Sequence, residues 1–195
     1  DNEAAWQGRF ECCYALSLIN ECRNILRDWP SSLQGKQKYY LAKALLLRRE
    51  GNDIEALRVL QRAARSTDAP AEVYAWMTEI LLESHRLQDG LVMAEKAISL
   101  QPENIFYLCM KANIFYFLSD VEKCSESFAA AVRVCPRSAA LLLNQYLLFP
   151  VIPTSSHQID ACRLRFLDGL TIAESLPDLE LNYQHPIARP TFTLA

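Results

Sequence analysis

The apolar positions of this chain recur on two scales. Within one stretch they fall at i, i+4 and i+7, as Tyr40, Ala44 and Leu47 do, which is the spacing of one helical face. Between stretches they return every 34 residues: Ala63, Ala97 and Ala131 form one row at that interval. Leu47, Leu81 and Phe115 form a second, which Phe149 continues, and Ala44, Thr78 and Ala112 a third. Ala56, Gly90 and Cys124 make a fourth, Leu60, Ala94 and Phe128 a fifth, and Asp68, Pro102 and Pro136 mark the ends. The pattern predicts helix pairs. The first pair covers 38–50 and 53–66, broken by Gly51-Asn52-Asp53, with Asp53 placed to cap the second helix. The second covers 72–84 and 87–99, and the third 105–118 and 121–134, broken at Ser119-Asp120.

Paired helices with a 34-residue period resemble the tetratricopeptide repeat (TPR). The implied fold class is all-α, a right-handed α-solenoid of helix-turn-helix repeats. Small residues stand where two helix backbones approach closely, and large ones fill the space between. One pair cannot bury its apolar face alone, so copies stack. Residues 37–136 hold three such repeats. Residues 1–36 read as a degenerate first repeat or a capping helix over 3–29. There Trp6 and Cys22 keep the register, Phe10 is large where a small residue is wanted, and 15–18 lack turn chemistry. Residues 137–176 read as a divergent fifth repeat. Leu142 and Tyr146 stand in register before Phe149-Pro150-Val151-Ile152-Pro153 replaces the short turn. A helix then resumes near Ser156, with Ile159, Cys162, Phe166, Leu167 and Leu170 as its apolar face. Residues 177–195 read as an extended linker toward a following domain, through Leu179–Tyr183 and Pro190–Leu194. The start at Asp1 and the open apolar run at Ala195 lead us to expect a piece of a longer protein.

Composition narrows the function classes. The chain has 195 residues, 51% apolar and 22% charged, with a formal net charge of -3, and it offers no basic stripe to neutralise phosphates. Nucleic acid is therefore not expected as a partner. The densest basic spots, Arg48-Arg49 and Arg62 with Arg65, read as solvated helix faces. Seven cysteines occur with no C-x-x-C, and His85, His157 and His185 have no ligand spacing, so the reading is reduced thiols without a metal. No apolar run reaches the roughly 18 to 20 residues that span a bilayer, and the expected location is cytoplasmic.

In such a solenoid, partners are expected on the concave face lined by the first helix of each repeat. The register assigns that lining to Lys38, Ala42, Leu45 and Arg49, then to Glu72, Trp76, Glu79 and Glu83, and then to Phe106, Met110, Asn113 and Phe117, with Asn144 continuing the row. A C-terminal carboxylate would meet Glu79 and Glu83 there, which argues against a basic carboxylate clamp. A protein or peptide partner with apolar and basic side chains fits the mixture better.

The stretch Leu147-Leu148-Phe149-Pro150-Val151-Ile152-Pro153, with Ile159, Phe166 and Leu170 after it, resembles a bacterial family of repeat proteins. The later His185-Pro186, Arg189-Pro190-Thr191-Phe192 and Leu194-Ala195 carry the same resemblance. That family is similar to SPINDLY and the protein O-linked N-acetylglucosamine transferases, in which a helical array precedes a two-lobed glycosyltransferase. The resemblance implies a non-catalytic, substrate-binding array whose parent uses a nucleotide sugar such as UDP-GlcNAc, with a catalytic domain following in the same chain. It makes His185 a candidate active-site residue, although no cofactor is expected in these residues themselves. The family's asparagine ladder is mostly missing, with Asn113 and Asn144 its nearest counterparts. Two other readings remain open: a stand-alone adaptor that assembles partners, and a structural spacer.

Overall fold

A computed structural model of the chain describes residues 2–146, 148, 153 and 155–175. The described residues form ten helices and no strand. They are α1 (Glu3–Ala15), α2 (Ile19–Arg27), α3 (Gln37–Arg49), α4 (Asp53–Ala63), α5 (Ala71–Glu83), α6 (Leu87–Leu100), α7 (Ile105–Phe117), α8 (Val121–Val134), α9 (Ala139–Tyr146) and α10 (Ser156–Ser175). The odd-numbered helices begin at residues 3, 37, 71, 105 and 139, a constant step of 34. Their even-numbered partners begin at 19, 53, 87 and 121, and α10 begins one residue late at 156. Residues 3–27 form two helices rather than one continuous helix, and α1 and α2 are spaced like the later pairs. The expected extended segments Leu179–Tyr183 and Pro190–Leu194 lie outside the described residues, as does His185.

In the first four pairs, what bends the chain between the two helices is a left-handed residue. Ser17, Gly51, His85 and Ser119 have φ of 57°, 77°, 56° and 59°, again 34 residues apart. Around each, two backbone bonds close the end of the first helix. The amides of Ser17, Gly51, His85 and Ser119 donate to the carbonyls of Tyr14, Arg48, Leu82 and Tyr116 at 2.9–3.0 Å. Those of Leu18, Asn52, Arg86 and Asp120 donate to Cys13, Leu47, Leu81 and Phe115 at 2.8–3.0 Å. This is the Schellman arrangement, and it satisfies carbonyls that a helix end leaves without partners. The residue after each left-handed position is the N-cap of the next helix. At two of them the side chain completes the cap: Asn52 accepts from the Glu55 amide and Asp120 from that of Lys123. The expectation that Asp53 caps its helix is corrected, since Asp53 is the first helical residue and Asn52 stands before it.

Residues 1–80 and 81–195 are two compact units, with the boundary inside α5. The core of the first gathers Phe10, Cys22, Ile25, Trp29, Leu33, Ala42 and Leu46. Phe10 and Trp29 fall in the rows that later hold Ala44 and Ala63, and both are buried. Trp29 lies 5.9 Å from Trp6 and 5.8 Å from Tyr39, so large aromatic rings fill space that alanines close by direct approach elsewhere. In the second unit the core gathers Leu108, Cys109, Ala112, Phe115, Val121, Cys124, Phe128, Ala131, Leu141 and Leu148. Its small rows lie at the helix contacts, where a larger side chain would force the backbones apart. At Gly169 a Cβ would stand 2.6 Å from Tyr146 Cγ, so α10 depends on a bare backbone at that point.

A non-glycine residue at positive φ stores strain that glycine does not. Ser119→Gly is expected to raise the urea midpoint, a gain of about 0.5–1 kcal/mol, and Gly51→Ala to lower it by about 1 kcal/mol. Equal midpoints for wild type and both variants would refute the role given to these turns.

Candidate functional site

The face assigned to the first helices is set out by one helix in each case. On α3, Lys38 and Leu45 are half-buried, Ala42 is buried and Arg49 is exposed. On α5, Glu72 and Glu83 are exposed while Trp76 and Glu79 are half-buried. α7 shows two large apolar side chains to solvent, Phe106 at 46% and Phe117 at 53% exposure. Between them Asn113 is half-buried, whereas Met110 and Asn144 are buried at 6% and 3%. The exposed lining on α7 is therefore aromatic, with its thioether and the Asn144 amide of α9 covered.

The structure joins two of these helices, α3 and α5, through a residue that the register left out. The Arg48 side chain is only 14% exposed. Its Nη1 lies 2.7 Å from Glu79 Oε2, and its guanidinium carbon stands 5.2 Å from the centre of the Trp76 ring. The reading of Arg48 as part of a solvated face is thus corrected, because its charge is directed onto α5. Arg49 turns the other way, with Nη2 2.9 Å from Ser17 Oγ and its guanidinium over Tyr14 at 5.0 Å. Adjacent arginines on a helix point about 100° apart, so one reaches back to the first repeat and the other forward to the third. Spacing along the sequence did not show this, since Trp76 and Glu79 lie 28 and 31 positions on from Arg48. The pairing also changes Glu79, whose negative charge is matched within the protein before any ligand arrives.

The remaining ionisable groups do not form a reaction centre among the described residues. Burial pushes the Cys109 and Cys124 thiols up to about 12, and the Cys22 thiol is raised by burial and then by Cys13. Such thiols stay protonated and inert near neutral pH. All seven cysteines are free, and among the described residues no three His, Cys, Asp or Glu side chains are placed to hold a metal. Asp120 is held below the usual carboxylate range first by the hydrogen bond that the Lys123 ammonium donates to Oδ2, while its Oδ1 caps α8 by accepting from the Lys123 amide. No described helix is long and apolar enough to cross a membrane.

No protein-family model matches the sequence, and no curated protein matches it. Solved structures do match the fold. MamA superposes with a TM-score of 0.69 at 12% identity, over 92% of this chain and 96% of that one. MamA from Desulfovibrio magneticus RS-1 (residues 41 to the end) gives 0.67 at 12%, over 91% and 98%. YrrB, described as a TPR protein with an unusual peptide-binding site, gives 0.62 at 14%, over 87% and 84%. At this identity the likeness establishes the fold: an all-α solenoid of TPR-type helix-turn-helix repeats.

Two outcomes are expected. In the native protein at pH 8, iodoacetamide labels exposed Cys12 and leaves Cys109 and Cys124 unmodified until denaturant is added. Because folding raises these two thiols, their contribution to stability is complete below the unfolded thiol range and is lost as pH climbs from about 9 toward 12; rapid native labelling of either would refute their burial. Arg48→Met is expected to cost about 1–3 kcal/mol in urea unfolding, against less than about 1 kcal/mol for the exposed Arg49→Met.

Proposed function

We propose that this chain is a protein-binding repeat array, which holds a partner peptide on the exposed positions of its first helices and carries out no reaction of its own. The observation that supports it is the pair of solvent-facing rings on one side of α7. Phe106 and Phe117 are 11 positions apart, a separation of about 16 Å along a helix. An extended peptide covers that distance in about five residues. Half-buried Asn113 stands between the rings with an amide able to meet a peptide backbone. In the first unit, Trp76 is backed by Arg48 and lies one turn from exposed Glu72, a setting for an apolar residue beside a basic one. The likeness to YrrB, a protein described as having a peptide-binding site, supports the same reading.

The finer assignment rests on sequence. The pattern over Leu147–Ala195 supports an array that serves a SPINDLY-like glycosyltransferase in a reducing, cytoplasmic setting. A nucleotide sugar and His185 would then belong to the parent's chemistry. The alternative is a stand-alone adaptor with no enzymatic link. The parent sequence beyond residue 195 separates the two, since alternating strands and helices over roughly three hundred residues mark the first.

The test is an array of twelve-residue peptides combining apolar and basic side chains, with the best binder measured on purified variants by fluorescence anisotropy. Phe106→Ala or Phe117→Ala is expected to weaken it about tenfold while helical circular dichroism is unchanged. Undiminished affinity in both folded variants, or no peptide bound by wild type, would rule out this side of α7 as the binding face.

A further inference from the structure

The outer side of α10 carries a row of leucines. Leu164, Leu167 and Leu170 are 64%, 56% and 40% exposed. The other side of the helix is packed: Cys162 is buried, and Gly169 lies against Tyr146 of α9. Leu164 and Leu167 stand about 140–160° round the helix from those two residues, and Leu170 about 80–100°. The row makes an arc about 120° wide and about 9 Å long, the dimensions of a packing face.

The 34-residue register shows that these leucines depart from their rows. Leu164 follows Arg62, Lys96 and Ala130, and Leu167 follows Arg65, Ser99 and Arg133. Leu170 stands where Asp68, Pro102 and Pro136 mark the ends of earlier repeats, and α10 runs on to Ser175. Arg62, Arg65, Lys96, Ser99 and Arg133 are exposed although a further helix pair follows each of them. A regular repeat stacked after α10 would therefore leave Leu164 and Leu167 uncovered. A second copy of the chain fits no better. Together the three leucines expose less surface than two whole leucine residues, no more than about 300 Å², whereas a stable dimer buries about 800 Å² on each partner.

A cover from the same chain is free of that requirement, because a tethered segment meets its site at a high effective concentration. Residues 176–195 continue directly from α10 and lie outside the described residues. Leu179, Leu181 and Tyr183 alternate with Glu180 and Asn182, the pattern of an extended segment with one apolar side. That side is about 13 Å long, enough to run along the three leucines. Ser175 is about 8 Å past Leu170 along the helix. Residues 176–178, with Pro177 to stop the helix, are long enough to turn back over that distance.

We propose that residues 179–183 fold back along α10 and set Leu179, Leu181 and Tyr183 on Leu164, Leu167 and Leu170, so that the chain covers its own last helix. The test uses the full chain labelled with 13C at its leucine methyls. Nuclear Overhauser contacts are expected from the Leu164, Leu167 and Leu170 methyls to the Leu181 methyls and the Tyr183 ring. An equal mixture of labelled and unlabelled chains, read through an isotope filter, is expected to show none of them between chains. The variant L181D/Y183D changes no residue of α1 to α10. It is expected to keep the helical circular dichroism, to lose the contacts and to shift the three leucine methyl signals of α10. The proposal is overturned by absence of the contacts in wild type, or by their appearance in the filtered mixture, which would mark a second copy. Contacts from these methyls to another part of the chain, or methyl signals that stay in place in L181D/Y183D, overturn it equally.

Discussion

The first four helix pairs, α1–α2 to α7–α8, each depend on one backbone event, a residue placed in the left-handed region at the end of the first helix. The double hydrogen bond around Ser17, Gly51, His85 and Ser119 turns the chain and delivers the cap of the following helix in the same few atoms. Since each turn is local, it forms without long-range contacts and sets both helix starts of its pair. The equal offset between the two helix starts in each of the first four pairs follows from it. The small-residue rows meet across neighbouring helices because these pairs are bent at the same point.

Packing adds what the turns leave unspecified. Where alanines and cysteines fill the rows, helices approach closely, and burial of Leu60, Phe128 and Ile114 between them contributes apolar area at about 25 cal/mol per Å². At the N-terminal pair, Phe10 and Trp29 replace the small residues and the space is filled with rings instead. The two solutions differ in shape and agree in register. Charge is used sparingly beside this: Arg48 and Arg49, adjacent on one helix, tie it to elements before and after it within the first unit.

Much of this was legible in the residues. Ala63, Ala97 and Ala131 reveal the period because small side chains recurring at a fixed interval mark the points where helix backbones meet. Gly51 and Ser119-Asp120 reveal their turns through local chemistry. His85 and Ser17 do not, because neither has glycine's freedom at positive φ; their distance from Gly51 marks them. The burial of Arg48 was hidden for a different reason, as ion pairing across helices depends on three-dimensional neighbours and a dibasic pair looks the same on a wet or a dry face. Met110 and Asn144 held register positions on the expected lining, yet burial covers both, since register gives direction and not depth.

The distribution of indole side chains has an optical consequence. Trp6, Trp29 and Trp76 all belong to residues 1–80, and residues 81–195 contain none. Emission excited at the red edge of the absorption band therefore reads the first unit and is blind to the second, whose light comes from tyrosine alone. With Trp29 enclosed among Trp6 and Tyr39, that emission is a built-in gauge of whether the N-terminal helix pair is docked.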